Sequence, residues 1–422
     1  MYFIKIAFIS ILIFFLAFEG VFSTVSVAGI GISRFIEFIF FLSFSKYFIR
    51  DMYKNKVILI TVKLMILFGI FLCLKIFVVF ILQTEVETKI LTTFVRLFFI
   101  IFPFYSVYFL MNRYGIIIIK MILLLNFPIM LIGWFQSDIT PFTEFGWYIK
   151  ETFFPWSQVF LENESFRKRV TSVYTFSIPL AYTITVNILL TTYLFVKTKS
   201  NIYFIYFLFL GSVAVFTLTR SVVLSWIAMF LYYLFIFLMN KRVNVIKRVL
   251  TIILITIFSI YAINIYNDNA KRFSRITTTK GTSAQGRVPL LLTGAYTLIV
   301  HPFGVSTNDY DFEKKEMYQI FHVEDILNFP AHNGLINIGF EYTTFGLIVF
   351  LLYILIIYRI LKNYFSKEMY IYFTYAFFVY MANSFFHNNF IFIQDFYVLI
   401  FLGILAYEYD VQKQKIQGKL YD

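Results

Sequence analysis

The chain has 422 residues, 60% hydrophobic and 14% charged, with a mean hydropathy of +0.80 and a formal net charge of +13. No domain in water buries that fraction of apolar surface, so a soluble enzyme is excluded and an all-α integral membrane protein is expected. The apolar/polar alternation of a transmembrane barrel is missing, and the single cysteine, Cys73, permits no internal disulfide.

Taken in chain order, apolar runs long enough to cross about 30 Å of hydrocarbon predict about 12 transmembrane helices. They fall at 4–19, 25–45, 57–82, 90–111, 114–135, 173–196, 202–219, 221–239, 246–265, 338–361, 369–386 and 394–408. The first run follows Lys5 and is read as an uncleaved anchor, since "FEGVFSTVSVAGIG" lacks a small-x-small cleavage site. Alternate short connections carry Lys46/Arg50/Lys54/Lys56, Arg113, Lys197/Lys199, Lys241/Arg242/Lys247/Arg248 and Arg359/Lys362/Lys367, which marks their side as cytoplasmic and puts both termini there. The whole chain, 1–422, then forms a single integral membrane domain. Two outer connections are long: 136–172, and 266–337, the second expected to hold short re-entrant or interfacial helices.

Polar chemistry collects on that outer side. All four histidines, His301, His322, His332 and His387, fall there, without HExxH, a Cys pair or carboxylates at ligand spacing, so neither a metal nor another cofactor is expected. Glycine-rich phosphate loops and a nucleotide-binding domain are likewise missing from the sequence. What remains is arginine. Arg220 in "TLTRSVVLSW", Arg169 in "FRKRVTSVYTFSIP" and Arg287 in "SAQGRVPLLLTGAYTLIVHPFGVSTNDY" each stand where a span or a short apolar stretch begins. An arginine there can snorkel to lipid headgroups. Several together can make an anion site, because the guanidinium fork matches phosphate oxygens. Lys75 and Arg96, in outer halves of spans, are weaker candidates for the same site.

His332, in "NFPAHNGLINIGFEYTTFG", has two readings: an imidazole that caps a loop, or a general base at the membrane–water boundary. Asn333 either orients it or serves as helix N-cap. Glu341, nine residues on, lies on another face of a continuous helix, although a break near Gly339 would change that.

Four pieces in this order, "RVTSVYTF", "TLTRS", "GRVPLL…HPFGVS" and "HNGLINIGFEYTTFG", give the chain from about 165 to 350 its character. With them it resembles the O-antigen polymerase and ligase family of bacterial surface-polysaccharide assembly. It departs from the family pattern at Thr343, where a glycine usually follows the glutamate by two residues, and at Thr219, where the family has serine. The asparagine often found near the first motif is also missing from "TFSIPLAY".

The resemblance implies glycan transfer from undecaprenyl pyrophosphate to a hydroxyl at the outer face of the bacterial inner membrane, with inversion at the anomeric carbon. It implies His332 as base, Arg169, Arg220 and Arg287 as pyrophosphate ligands, and Asn333 and Glu341 in support. The partners implied are a lipid-linked glycan donor and acceptor, membrane lipids and a chain-length regulator protein, with no nucleic acid. A polymerase of lipid-linked repeat units is favoured over a ligase acting on lipid A core. A flippase of lipid-linked oligosaccharide is the alternative of another class; large outer loops and the lack of visible repeat symmetry speak against it.

Overall fold

The computed structural model describes residues 2–17, 26–27, 30–82, 88–137, 140–154, 170–174, 177–239, 287–328, 331, 333–384 and 398–418. Among them the fold is helical, apart from a two-residue pairing of Ser26–Val27 with Ile30–Gly31. The helices are α1 (Tyr2–Ala17), α2 (Ile32–Lys54), α3 (Lys56–Lys75), α4 (Thr88–Phe99), α5 (Ile101–Tyr114), α6 (Ile117–Phe135), α7 (Thr143–Phe153), α8 (Ser177–Thr198) and α9 (Asn201–Phe216). They continue with α10 (Arg220–Met239), α11 (Arg287–Val300), α12 (Thr307–Phe321), α13 (Asp325–Asn328), α14 (Gly334–Tyr364), α15 (Lys367–Ser384) and α16 (Leu399–Gly418).

Five described segments are long and apolar enough to cross a membrane: Lys56–Val79, Thr93–Tyr114, Ile117–Phe135, Ser177–Thr198 and Gly334–Tyr364. Other expected spans are shorter or shifted. The one expected at 25–45 starts as the strand pairing and becomes helical only at Ile32, and the one expected at 246–265 lies outside the described residues. The 14-residue stretch opened by Arg287 is the helix α11. The first long loop contains a helix that hydropathy alone does not announce, α7.

Two compact units can be distinguished. Unit 1 comprises 1–129, 189–204 and 282–422. Its frame is α3 lying along α14, with Phe68 stacked on Tyr342 at 4.2 Å and Thr61 Oγ1 3.1 Å from the Tyr353 hydroxyl. Near the N-terminus of α3, Asn55 caps Val57 and Ile58 and also donates to Ala406 O on α16 at 2.8 Å. Buried charge in this region is paired: Glu408 accepts from Tyr193 (2.5 Å) and Lys197 (2.6 Å). Such pairing is what a carboxylate needs away from water.

Unit 2 comprises 130–188 and 205–281. Here α9 and α10 form a hairpin closed by Trp226, whose indole N–H donates to Phe207 O at 3.1 Å. The ring lies so close to Gly211 that a Cβ there would stand 2.2 Å from Trp226 Cε2, so glycine is required by space. The first half of α8 is buried with Thr183, Thr185 and Asn187 among its interior residues.

Candidate functional site

The motifs read from the sequence fall into two groups. In unit 2 the pieces around Arg169 and Arg220 meet through the backbone. The N–H of Val170, the residue after Arg169, donates to Phe216 O at 3.2 Å, one helical turn before Arg220. The α9–α10 connection is a tight turn in which Leu218 takes φ +52°, Thr217 Oγ1 caps Ala214 O, and Thr219 is buried. Arg220 is the first residue of α10 and is exposed. A cation at a helix N-terminus opposes the helix dipole, whereas an anion there is favoured. Arg169 itself lies outside the described residues.

The turn after Arg169, residues 170–174, is held from two sides. Gln136 Oε1 accepts from the N–H groups of Thr171 (3.2 Å) and Ser172 (2.8 Å), and its Nε2 donates to Ser172 O at 3.1 Å. Ser172 adopts φ +52°, which this double grip maintains. From the other side Lys150 of α7 donates to Thr171 Oγ1 (2.5 Å) and Tyr174 O (2.7 Å). Burial pushes the Lys150 ammonium down to about 8, opposed by the nearby Glu151 carboxylate. Burial also pushes the Tyr174 phenol up to about 12, with its bond to Thr183 opposing.

In unit 1 the pieces "HPFGVS" and "HNGLINIGFEYTTFG" are brought together by a break in α14. Tyr342 (φ −119°, ψ 24°) and Thr343 (φ +67°, ψ 167°) leave helical geometry. In an unbroken helix the Thr344 N–H would bond Phe340 O. Instead it donates to Pro302 O at 3.2 Å, and Phe340 O accepts from Lys75 Nζ at 2.7 Å. Pro302 has no N–H to offer Leu298 O at the end of α11, and Thr344 Oγ1 takes that carbonyl at 2.6 Å. Thr344 N–H and Phe340 O, separated by the break, and Leu298 O, left by the proline, thus each find a new partner, as low-dielectric surroundings demand.

Thr343 stands where the resemblance puts glycine, and its φ shows why glycine suits the position. Gly346 answers the same break: a Cβ there would lie 2.7 Å from Tyr342 Cβ. Gly304 of "HPFG" lets the chain pass over Lys75, whose Cγ would be 3.0 Å from an added Cβ.

The candidate residues of unit 1 divide as follows. His332 lies outside the described residues. Its neighbours are fixed: Ala331 is buried against Gly294 of α11, and Asn333 Oδ1 accepts from the N–H groups of Leu335 (2.9 Å) and Ile336 (3.1 Å). Asn333 is therefore the N-cap of α14, the second of its two sequence readings. Glu341 is half-buried and accepts from Thr93 Oγ1 at 2.7 Å. The break comes just after Glu341 rather than at Gly339, so the helix from Gly334 to Glu341 is continuous. Arg287 opens α11, and its side chain lies outside the described residues.

Lys75 is turned to a carbonyl within the helix break, and Arg96 is exposed on α4. His322 ends α12 in the left-handed conformation and is exposed. His301 is more engaged than its sequence context suggested: Nε2 is 3.1 Å from Glu313 Oε1 and Nδ1 is 3.9 Å from Asp309 Oδ1. Sequence reasoning missed Gln136, the His301–Glu313 pair and the burial of Lys150, which shows there only as one of several loop cations. Among the described residues no three His, Cys, Asp or Glu side chains gather as a metal-holding group.

Fold and motifs together define a multi-pass helical membrane protein with arginine-led helix starts and an irregular helix in its candidate site. Residues 205–354 match the family described as O-antigen ligase. The match likens this stretch to the O-antigen polymerase/ligase family. It covers the motifs at Arg220, Arg287, His332 and Glu341 and begins after Arg169. No curated protein and no solved structure matches the chain.

Proposed function

We propose that the chain polymerises oligosaccharide repeat units carried on undecaprenyl pyrophosphate, at the outer face of the bacterial inner membrane. One observation carries the anion-binding half of this reading: the Val170–Phe216 hydrogen bond, which ties the segment after Arg169 to the turn that ends in Arg220. Two guanidinium groups on adjoining backbone, one of them opening a helix, suit a pyrophosphate better than isolated snorkelling arginines would. Arg287, opening α11, is the third ligand in this reading.

In the reaction, the acceptor hydroxyl oxygen bonds to the anomeric carbon of the donor glycan. The bond from that carbon to the pyrophosphate oxygen breaks, and undecaprenyl pyrophosphate leaves with the electron pair. The hydroxyl proton passes to the His332 imidazole. Arginines stabilise charge as it develops on the leaving oxygen, which needs no nucleotide. A single displacement inverts the anomeric configuration. Asn333 fixes the start of α14 beside His332, and Glu341, tied to Thr93, holds the following turn.

Purified protein given synthetic undecaprenyl-pyrophosphate repeat unit should yield a ladder of products, undiminished by excess EDTA. A single addition to lipid A core without a ladder would make it the ligase, and transport without bond formation would make it the flippase. Reporter fusions at Lys54 and Lys199 should read cytoplasm, and those at Lys150 and Lys314 the outer side.

A further inference from the structure

Lys150 is 1% exposed although it belongs to a loop helix. Its ammonium has three donors. Two go to the 170–174 turn, and the cation also lies 5.6 Å from the centre of the Trp147 ring. Burying a charge costs far more than burying a neutral donor of similar size, so the hydrogen bonds alone do not explain a lysine here.

Nor do its described surroundings balance the charge. Glu144 and Glu151 share its helix and are exposed. The described segments around it, 130–137, 170–174, 177–183 and 213–217, contain no Asp, Glu, His, Lys or Arg; their titratable groups are the Tyr174 and Tyr182 phenols. Among the described residues the Lys150 charge is thus offset only by the exposed Glu151 of its own helix. An anion arriving there would offset it.

We propose that Lys150 is a positioning residue for a pyrophosphate-binding segment: its ammonium fixes the 170–174 turn and, through the Val170–Phe216 bond, the register of that turn against the connection ending in Arg220. This rests on the reading of Arg169 and Arg220 as pyrophosphate ligands. Because burial brings the ammonium down to about 8, the charge on these bonds declines as pH rises through that value.

The test uses full-length protein in lipid nanodiscs, with undecaprenyl pyrophosphate as the binding probe and hydrogen exchange of the 171–174 amides as the structural readout. Lys150→Met should weaken binding about tenfold or more, the scale of a lost charge-assisted hydrogen bond, and speed exchange in the turn. Thr171→Val, which removes one acceptor and leaves the ammonium in place, should do the same to a smaller degree and serves if Lys150→Met fails to fold. Wild-type affinity should fall between pH 7 and 9, and Lys150→Met should flatten that profile. In combination with Arg220→Lys the Lys150 effect should shrink, since both act on one register.

Unchanged affinity and exchange in Lys150→Met, or losses that multiply in full, overturn the proposal. Arg220→Lys alone tests the underlying reading. If it binds like wild type while Lys150→Met does not, the Arg220 clamp fails and the positioning of the 170–174 turn stands.

Discussion

Lys75 in α3 and Lys150 in α7 are both buried, and each directs its ammonium to a backbone carbonyl, yet the carbonyls need a donor for different reasons. Phe340 O lost its helical partner when α14 broke at Tyr342–Thr343, inside a membrane-crossing helix where water is not available to replace it. Tyr174 O belongs to a short turn in the loop 136–172, where Gln136 already holds the backbone and a neutral donor would serve. The same device is therefore structural in unit 1, whereas in unit 2 the ammonium meets, among the described residues, no carboxylate but the exposed Glu151 of its own helix. Where backbone geometry demands a donor, a lysine says little about function. Where it does not, the charge itself calls for a reason.

The largest expected effect separates chemistry from anion binding. His332→Ala should lower turnover by about 10²–10⁴-fold, the usual worth of a general base, and leave affinity for undecaprenyl pyrophosphate unchanged. Arg220→Lys keeps charge but loses the fork, so it should lower affinity as well as turnover, and Arg220→Ala should be worse. Arg287→Lys should lower affinity in the same way, and unchanged affinity would remove Arg287 from the ligand set. A His332→Ala protein that inserts, folds and polymerises at the wild-type rate would leave the histidine a loop residue and the mechanism without a base.

How much of this was legible beforehand depends on what each feature answers to. Spans such as Lys56–Val79 and Ile117–Phe135 were readable because hydrocarbon thickness imposes a length on apolar runs whatever the tertiary contacts. The N-cap at Asn333 was readable as one of two options, since residue type and position suffice for it. The break in α14 was raised only near Gly339, and its place at Tyr342–Thr343 was not readable, because it is decided by partners far away in the chain: Pro302, Leu298 and Lys75. Its one local trace was Thr343 at a position where glycine is usual, which points to a positive φ. Lys150 was legible only as one of several cations in the long connection 136–172 that the charge rule leaves unexplained. A lysine in a loop looks like a solvated charge until the fold buries it.

Next in size are changes to the hydrogen-bond rearrangement in unit 1. Lys75→Met removes the donor at Phe340 O, and losing a partner of a buried carbonyl costs about 1–3 kcal/mol, so the unfolding midpoint in detergent should drop clearly. His301→Ala should fall in the same range, because it strands Glu313, which is 3% exposed and whose Oε2 has no hydrogen-bond partner. Neither change should alter the affinity for undecaprenyl pyrophosphate per folded protein. If Lys75→Met keeps its midpoint but loses affinity, the division between the two lysines is wrong.

Two substitutions at the break should act in opposite directions. Gly346→Ala introduces a Cβ 2.7 Å from Tyr342 Cβ, an overlap that neither backbone can easily relieve, and should destabilise by about 1–3 kcal/mol. Thr343→Gly relieves a β-branched residue held at φ +67°, where strain is of order 1–3 kcal/mol; after glycine's greater entropy loss on folding, a gain of about 1 kcal/mol is expected. Melting both variants beside the wild type checks the pair. A destabilised Thr343→Gly would mean that the threonine side chain contributes more to the break than its weak 3.4 Å bond from Gly346 N–H suggests.

The smallest effect is the one that tells the two lysines apart without a substrate. Lys150 has an ordinary value of 10.5 and is brought down to about 8 in the fold. Between those values the unfolded chain holds a proton there that the folded chain has released, so stability rises with pH across the window. The contribution is complete above about 10.5 and is lost as pH falls through about 8. Lys150→Met should remove this slope while it weakens pyrophosphate binding. Loss of the slope together with loss of affinity ties the titrating charge to the site, which a purely structural lysine would not produce. Should Lys150→Met keep both the wild-type slope and the wild-type affinity, the titrating group would be another one and Lys150 would be the same kind of residue as Lys75.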